Sequence, residues 1–411
     1  MRLKRVPVFA LVCLLSMVQA SWGAEARPYS LKDLEELALK VHPGLKKSAD
    51  EVRKSEAELR IAKQYPNPEV EGTVSRQKEV PGPETGTGYT VALSQTLEWP
   101  GRRTKRQEAA RFGIEAAGKT LDNEHLTVKA RLREIFYRLL ADEHFVKIAQ
   151  ENLATAKNLL DLVEKRVRLG ESRQLELLKA QVEFHTLERE FQKAKTLQAG
   201  DRQVLDQFLL GQLGPDFTLA GNFATLEGAV PLKRWREAAL TAHPLLSAQE
   251  AAIRQADSTL GAERQAWVPD VTVKVFHNRD IDLSATGGGI SVPLPLWNRK
   301  GGEVAKAAAA KSQARHELAL TRQELETKLA TQYSLYETAR RQVESFQKHI
   351  LPQAGESLRL AQFSYQHGEI NLLELLDARR VYRTTEQDYF KALLDYWLAR
   401  VELWRIAGGG I

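Results

Sequence analysis

The stretch HGEINLLELLDA at residues 367–378 decides the fold, because it repeats LGESRQLELLKA at residues 169–180. The two stretches lie 198 residues apart, and the HP dipeptides that begin at His42 and His243 lie 201 residues apart. The matches keep the same order in both halves. A difference of three residues between them is expected in a surface loop, where changes of length cost little. The sequence therefore predicts two copies of one fold unit.

Each copy has the pattern of a helix, two short strands and two long helices. Val70, Gly72 and Val74 alternate with polar residues, as do the valines of residues 271–275, and this period of two predicts strands with one apolar face. The first copy is predicted at 27–230, with strands at 69–77 and 88–99, long helices at 102–168 and 172–210, and a linker at 211–230. The second copy is predicted at 231–411, with strands at 270–278 and 285–297 and long helices at 301–364 and 370–407.

The long helices carry a coiled-coil pattern. Between Val128 and Val167, apolar residues recur in steps that alternate between four and three, as in a seam with a period of 3.5. At about 1.5 Å per residue, the first long helix of each copy would extend roughly 90–100 Å. The predicted fold class is mainly α with a small β part, built from a duplicated helix–β-hairpin–helix unit.

Residues 1–26 have the features of a secretory signal peptide. Three basic residues precede an apolar run from Val6 to Val18, which is too short to span a bilayer. The AEA sequence at 24–26 offers a cleavage site. Cys13 lies inside the apolar run rather than after it, so we expect no lipid anchor. The mature chain then has no cysteine, which excludes disulfides and thiolate sites.

Composition excludes several classes of function. The net charge of +6 falls to +4 without the predicted signal peptide. The sequence has no block of basic residues long enough to bind a nucleic acid. The nine histidines are scattered, with no pair at metal-ligand spacing on one helix face. No catalytic or nucleotide-binding motif is present. We therefore expect neither an enzyme, nor a cofactor, nor a fixed metal site.

If the predicted strands cross a membrane, one chain has too few of them to close a β-barrel. Beyond the signal peptide no apolar stretch approaches the ~20 residues of a membrane helix, so only the strands could span. Four strands cannot close a β-barrel, for which about eight are the minimum, and open edges are not tolerated in lipid. Two chains would supply eight strands and three would supply twelve. The residues alone do not choose between them.

The mature chain resembles the TolC-like outer membrane factors, the exit ducts of tripartite efflux pumps and type I secretion systems. The resemblance rests on the duplicated plan and on three motifs: PNPEV at 66–70, LSQTLEWPGRR at 93–103 and YQHGEINLLELLDA at 365–378. LEWPGRR at 97–103 is similar to the CzcC-like branch for heavy-metal efflux.

The resemblance implies an assembly and a location. It implies a homotrimer with a twelve-stranded β-barrel in outer membrane lipid, continued by a long coiled-coil α-barrel in the periplasm of a Gram-negative bacterium. The implied partners are a periplasmic adaptor protein and an inner-membrane resistance-nodulation-division pump. The implied substrates are heavy-metal cations, and multidrug efflux or type I secretion is the alternative. The non-transport alternative is a secreted coiled-coil structural protein, whose strands form a soluble interface.

The resemblance also implies a pore gate in the second copy. The family closes its tunnel with acidic residues on the last helix, at positions that correspond to Glu374 and Asp377. Tyr365 is similar to the family's gate tyrosine. The first copy has Lys179 and Val167 at the positions of Asp377 and Tyr365, so the predicted gate belongs to the second copy. Without the resemblance, two acids on a solvated helix face are the simpler interpretation.

The turns between the long helices are the predicted docking site for the adaptor. Glycine in each turn supplies a backbone conformation that lets the chain reverse. The residues predicted to dock are Arg168, Leu169, Gly170, Glu171, His367, Gly368 and Glu369.

Overall fold

A computed structural model describes residues 28–78, 82, 85–214 and 216–410, and most of them are helical. The predicted signal peptide at 1–26, including Cys13, lies outside the described residues. None of the helices in the described part of the chain is long and apolar enough to cross a membrane.

The elements follow one another as two long-helix pairs, each preceded by a strand pair. In chain order they are β1 Tyr29–Ser30, α1 Leu31–Val41, α2 Pro43–Lys63, β2 Glu69–Lys78, β3 Thr85–Leu97, α3 Pro100–Arg168, α4 Gln174–Phe208, β4 Leu219–Ala220, α5 Leu232–Ala242, α6 Pro244–Gln265, β5 Val271–Arg279, β6 Ser284–Ser291, α7 Gly301–Ser345, a π-helical turn Phe346–Ile350, α8 Leu351–Gln366 and α9 Leu372–Ile406.

The chain forms two compact units. The first takes the described residues up to Val41 together with 138–225. Its β1 pairs in parallel with β4, and Leu139, Val163 and Leu205 are among its fully buried side chains. The second takes residues 42–137 and those from 226 onward. The first predicted repeat is therefore shared between both units, and the division into repeats at residue 230 remains a prediction from sequence.

The second unit contains the sheet and most of the aromatic core. Its helix α7 packs against α6 and α9. Tyr137 stacks on Trp397 with ring centroids 4.3 Å apart, and the ring centroids of Tyr336 and Tyr396 are 5.5 Å apart. Large aromatic side chains bury much apolar surface. This cluster fixes the end of α9 in place.

The sheet is antiparallel with the strand order β2-β3-β5-β6. Its register places side chains of opposite character on the two faces, since neighbouring residues of a strand point to opposite sides. The largely apolar face carries Val70, Val74, Tyr89, Val91, Leu93, Leu97, Val271, Val273, Val275 and Ile290, and the same register also places Arg76, Lys78, Gln95, His277 and Arg279 on it. The polar face carries Glu69, Glu71, Thr73, Thr90, Ala92, Ser94, Thr96, Thr272, Lys274, Phe276 and Asn278. The apolar face is open: Val74 is 75% exposed and Ile290 is 74% exposed.

The strand β6 ends at Ser291, six residues before the predicted end at Trp297. Pro293 and Pro295 explain the correction, because proline has no N–H to donate to a sheet. The segment that follows β6 is exposed, and Trp297 projects into solvent.

The repeated HP dipeptides begin helices. The Nδ1 atom of His42 accepts a hydrogen bond from the N–H of Gly44 at 3.2 Å, and Nδ1 of His243 accepts one from Leu245 at 3.1 Å. Each histidine is thus the N-cap of the next helix, and a proline occupies the first turn, where its missing N–H costs nothing. Burial of His243, together with the positive charge of Arg405, lowers its pKa to about 4.

A π-helical turn interrupts the helix predicted to run without a break over 301–364. Pro352 lies just after it and cannot bond to the carbonyl of Lys348, four residues earlier. A wider turn accommodates such a mismatch. The side chain of Gln347 donates a hydrogen bond to the Tyr389 hydroxyl at 3.0 Å, which ties the turn to α9. The corresponding part of α3 has Ala154 instead of proline and is regular α-helix.

Candidate functional site

The first helix turn, between α3 and α4, closes with a glycine in the left-handed region. Gly170 has a φ of 76°. The N–H of Glu171 donates to the carbonyl of Arg166 at 2.8 Å, and the N–H of Gly170 donates to that of Val167 at 3.1 Å. These two bonds satisfy carbonyls that the end of a helix otherwise leaves without partners. The turn is therefore built by its backbone.

The second helix turn, between α8 and α9, uses the same geometry. Gly368 has a φ of 75°. The N–H of Glu369 donates to the carbonyl of Ser364 at 2.9 Å, and the N–H of Gly368 donates to that of Tyr365 at 3.2 Å. Every one of these positions lies 198 residues after its counterpart. The duplicated sequence therefore forms the same two backbone hydrogen bonds at both turns.

Side chains lock the second turn further. The His367 ring contacts the Phe363 ring in a tilted arrangement with centroids 4.1 Å apart, and its Nδ1 lies 2.9 Å from the Phe363 carbonyl oxygen. The Ser364 hydroxyl donates to the Glu369 carboxylate at 2.8 Å. The turn presents a fixed surface rather than a loose loop.

All seven predicted docking residues are exposed. At the first turn, exposed apolar side chains continue from the turn along one side of α4: Leu169, Leu175, Leu178 and Val182. Contiguous exposed apolar residues on a helix are typical of protein interaction sites. The geometry is suited to the predicted docking role at this turn.

Glu374 begins α9 in partnership with Asn371. The Asn371 side chain accepts from the Glu374 N–H at 3.1 Å, and its amide donates to the Glu374 carboxylate at 2.8 Å. Asn371 is thus the N-cap of α9, and its side chain contacts both the backbone N–H and the carboxylate of Glu374. Glu374 therefore contributes to the start of the helix, a role that sequence reasoning missed although the N-x-x-E spacing signals it.

Asp377 lies one turn further along α9 and forms an ion pair with Arg380. Both side chains are more than half exposed, so the pair contributes little to stability. This partner was not predicted, although the spacing of three residues brings the two side chains to one helix face.

The structure brings Glu374 and Asp377 together on one groove between α8 and α9. The groove has a volume of about 660 Å³ and is lined by Ser357, Ala361, Ser364, Ile370, Leu373, Glu374, Asp377, Ala378 and Val381. Tyr365, the third predicted gate residue, does not line it. Tyr365 is only 6% exposed and lies in the core of the α8–α9 hairpin. The two carboxylates are accessible from solvent, and the tyrosine is not.

A family model described as outer membrane efflux protein matches residues 34–211 and 235–409. These two segments cover most of both predicted repeats. The chain belongs to the outer membrane efflux protein family. The resemblance to TolC-like outer membrane factors is thereby confirmed, and so is the predicted location in the outer membrane with a periplasmic extension.

Relatives of this outer membrane efflux protein include a metal resistance protein and a pyoverdine export protein. The cobalt-zinc-cadmium resistance protein CzcC of Cupriavidus metallidurans is 26% identical, over 96% of this chain and 93% of its own length. The pyoverdine export outer membrane protein OpmQ of Pseudomonas putida is 27% identical, over 95% of this chain and 88% of its own. The relatives therefore include CzcC, which belongs to the metal-resistance branch predicted from LEWPGRR.

A solved structure of the channel CusC superposes on this outer membrane efflux protein with a TM-score of 0.78. The two chains are 21% identical, and the match covers 96% of each. At that identity the likeness establishes the fold. It confirms the predicted fold class, which is mainly helical with a small β part.

Proposed function

We propose that this protein is the exit duct of a tripartite efflux system and that it conducts heavy-metal cations. The observation that carries the proposal is the pair of exposed carboxylates, Glu374 and Asp377, on one groove beside the second helix turn. Copies of such a pair in a symmetric assembly form rings of negative charge, which attract cations and repel anions. The relation to CzcC, a cobalt-zinc-cadmium resistance protein, supports the same class of substrate.

The proposed assembly is a trimer. In the described strands, β2 pairs only with β3 and β6 pairs only with β5, so both edges of the sheet are open. A sheet with open edges and one apolar face is not stable in lipid by itself. Three chains that pair β6 of one with β2 of the next would give a closed sheet of twelve strands. Its apolar face would meet lipid and its polar face would meet water.

The proposed partners contact the helix turns. A periplasmic adaptor would dock on the exposed residues 168–171 and 367–369, and an inner-membrane resistance-nodulation-division pump would supply the driving force. The rigid, glycine-closed turns support this role, because docking on a fixed surface requires little ordering on binding. In the gate, Tyr365 would act from within the hairpin, by holding α8 against α9.

Export of an organic compound is the second candidate. OpmQ, whose name assigns it to pyoverdine export, matches almost the whole chain with an identity close to that of CzcC. The two candidates differ in what the carboxylate groove should do. Rings of carboxylates favour a metal cation and give no advantage to an organic anion.

Conductance in planar bilayers tests the duct and its gate together. We expect a small, cation-selective conductance from the wild type, and a larger and less selective one from Glu374→Ala/Asp377→Ala. Asp388→Ala is the matched control, since Asp388 also lies on α9 in an exposed ion pair, with Lys391. Wild-type conductance in the double variant would discard the gate and keep the duct. Failure of the wild type to insert would overturn the duct.

A further inference from the structure

The polar face of the sheet carries an ion pair that lies outside the groove and the helix turns described above. The Lys274 ammonium of β5 lies 2.7 Å from the Glu71 carboxylate of β2, across the intervening strand β3. Glu69 occupies the same face, in register with Ser94, which is itself in register with Lys274. Among these strand residues of the polar face, Lys274 is the single cation beside two carboxylates.

The pair is accessible to solvent in the isolated chain. The Lys274 side chain is 39% exposed and that of Glu71 is 64% exposed. The same strands expose valines and leucines on the opposite face. A face with hydroxyls, carboxylates and an ammonium belongs against water when its reverse side belongs against lipid. Glu71 and Lys274 are thus placed on the water-filled passage of the proposed duct.

The neighbouring residues hold this face in one arrangement. Thr90 donates to the Asn278 side chain at 2.9 Å, and the hydroxyls of Thr96 and Thr272 lie 3.0 Å apart. The Phe276 ring lies so close over Gly287 that an added Cβ would stand 2.7 Å from its Cζ. The ring therefore lies against Gly287 of β6, the residue that is paired with Phe276.

We infer that Lys274 keeps exported divalent cations from being retained by the carboxylates of the sheet. This inference rests on the proposed function. Conduction requires that a cation be attracted into the passage but not retained there. Two carboxylates without Lys274 would offer hard oxygen ligands to a divalent cation. By occupying Glu71, the ammonium of Lys274 weakens that binding and lets the cation leave. Lys274 thereby sets the affinity of the sheet for divalent cations.

Block of monovalent current by a divalent cation tests the inference. Potassium current through the full-length, signal-cleaved protein is measured in planar bilayers while zinc chloride is added. For Lys274→Gln we expect half-block at a concentration about fivefold lower than in the wild type, because an exposed ion pair competes for its carboxylate by about that factor. Glu71→Gln/Lys274→Gln should return the half-block concentration toward the wild-type value.

Lys328→Gln is the matched control, since it removes the same charge from an exposed ion pair with Glu324 in α7. Equal sensitivity to zinc in wild type and Lys274→Gln overturns the inference and leaves the duct intact. An equal gain of sensitivity in Lys328→Gln also overturns it, because the effect is then one of total charge. If the wild type forms no channel, the proposed function itself fails, which is a distinguishable result.

Discussion

At the scale of single residues, the buried N-cap His243 couples the stability of the protein to pH. Its side chain is 2% exposed, and its pKa is lowered to about 4, whereas an unfolded histidine titrates near 6.5. Between these values the unfolded chain binds the additional proton. The contribution of His243 to the free energy of unfolding should therefore be constant above pH 6.5 and fall by at most about 3 kcal/mol as the pH decreases toward 4.

Unfolding in detergent, followed by circular dichroism at pH 7.5 and pH 4.5, checks this expectation. His243→Asn is the informative variant, because asparagine is a good N-cap and does not titrate. It should keep most of the stability at pH 7.5 and lose part of the decrease toward pH 4.5. The same decrease in variant and wild type would assign the pH dependence to other groups.

Two glycines of the α8–α9 hairpin should respond in opposite ways to the same substitution. Gly368 has a φ of 75°, so Gly368→Ala places a side chain in the left-handed region and should cost about 1–2 kcal/mol. Gly355 lies within α8, where a Cβ would meet the Tyr382 ring at an ordinary 3.6 Å. Gly355→Ala should therefore stabilise the helix by about 0.5–1 kcal/mol.

Thermal unfolding of the two glycine variants provides the measurement. A lower midpoint for Gly368→Ala and a higher one for Gly355→Ala are expected. Equal shifts of the same sign would show that the conformation of the second turn does not depend on Gly368.

At the scale of elements, Pro352 explains the π-helical turn and predicts where the long second helix opens. Pro352→Ala restores an N–H that can bond to Lys348, so the turn at 346–350 should become regular α-helix. Amide hydrogen exchange across 346–352 should then slow, and the helix should gain up to about 3 kcal/mol. Pro244→Ala is the control, because Pro244 lies in the first turn of α6, where no bond is missing.

Unchanged exchange in Pro352→Ala would contradict this explanation of the turn. It would mean that the contacts with α9, through Gln347 and Tyr389, impose the π geometry on the chain. Exchange measured by mass spectrometry resolves peptides of this length and separates the two causes.

The sequence predicted the elements where pattern and local chemistry agree. The alternation around Val74 predicted a strand with one apolar face, and Gly170 and Gly368 predicted the reversals of the chain. The prediction of β6 extended too far because Pro293 and Pro295 stand in an apolar run, and their missing N–H groups were given too little weight. Pro352 likewise signalled an interruption that the coiled-coil pattern concealed.

The candidate site was less accessible to prediction from sequence. Glu374 and Asp377 were predicted from the resemblance, and their spacing of three residues places them near one helix face. Their common groove also needs Ser357 and Ala361 of α8, which only packing brings there. The capping role of His243 depends on a ring orientation that no residue pattern specifies. The spacing of residues along one helix could be predicted from the sequence, whereas contacts between separate helices could not.

At the scale of the whole molecule, the two faces of the sheet should tolerate charge very differently. Thr73 and Val74 are neighbours in β2 on opposite faces. Val74→Arg places a charge on the apolar face and should cost about 2–4 kcal/mol if that face meets the middle of the bilayer. Thr73→Arg places the same charge on the polar face, where water would solvate it.

Recovery of each variant in the outer membrane fraction is the measurement. We expect Val74→Arg to be depleted and Thr73→Arg to be present at close to the wild-type amount. Equal recovery of both would contradict the assignment of the apolar face to lipid.

The open edges of β2 and β6 have a consequence for biogenesis. A newly exported copy that has not met its partners offers two rows of unpaired N–H and C=O groups beside an exposed apolar face, which is the arrangement that aggregates. We expect an unassembled copy to aggregate unless a chaperone binds it or it meets its partners quickly. Pro293 and Pro295, which follow the early end of β6, shorten one of these edges and so reduce the area on which an unassembled copy could pair with the wrong chain.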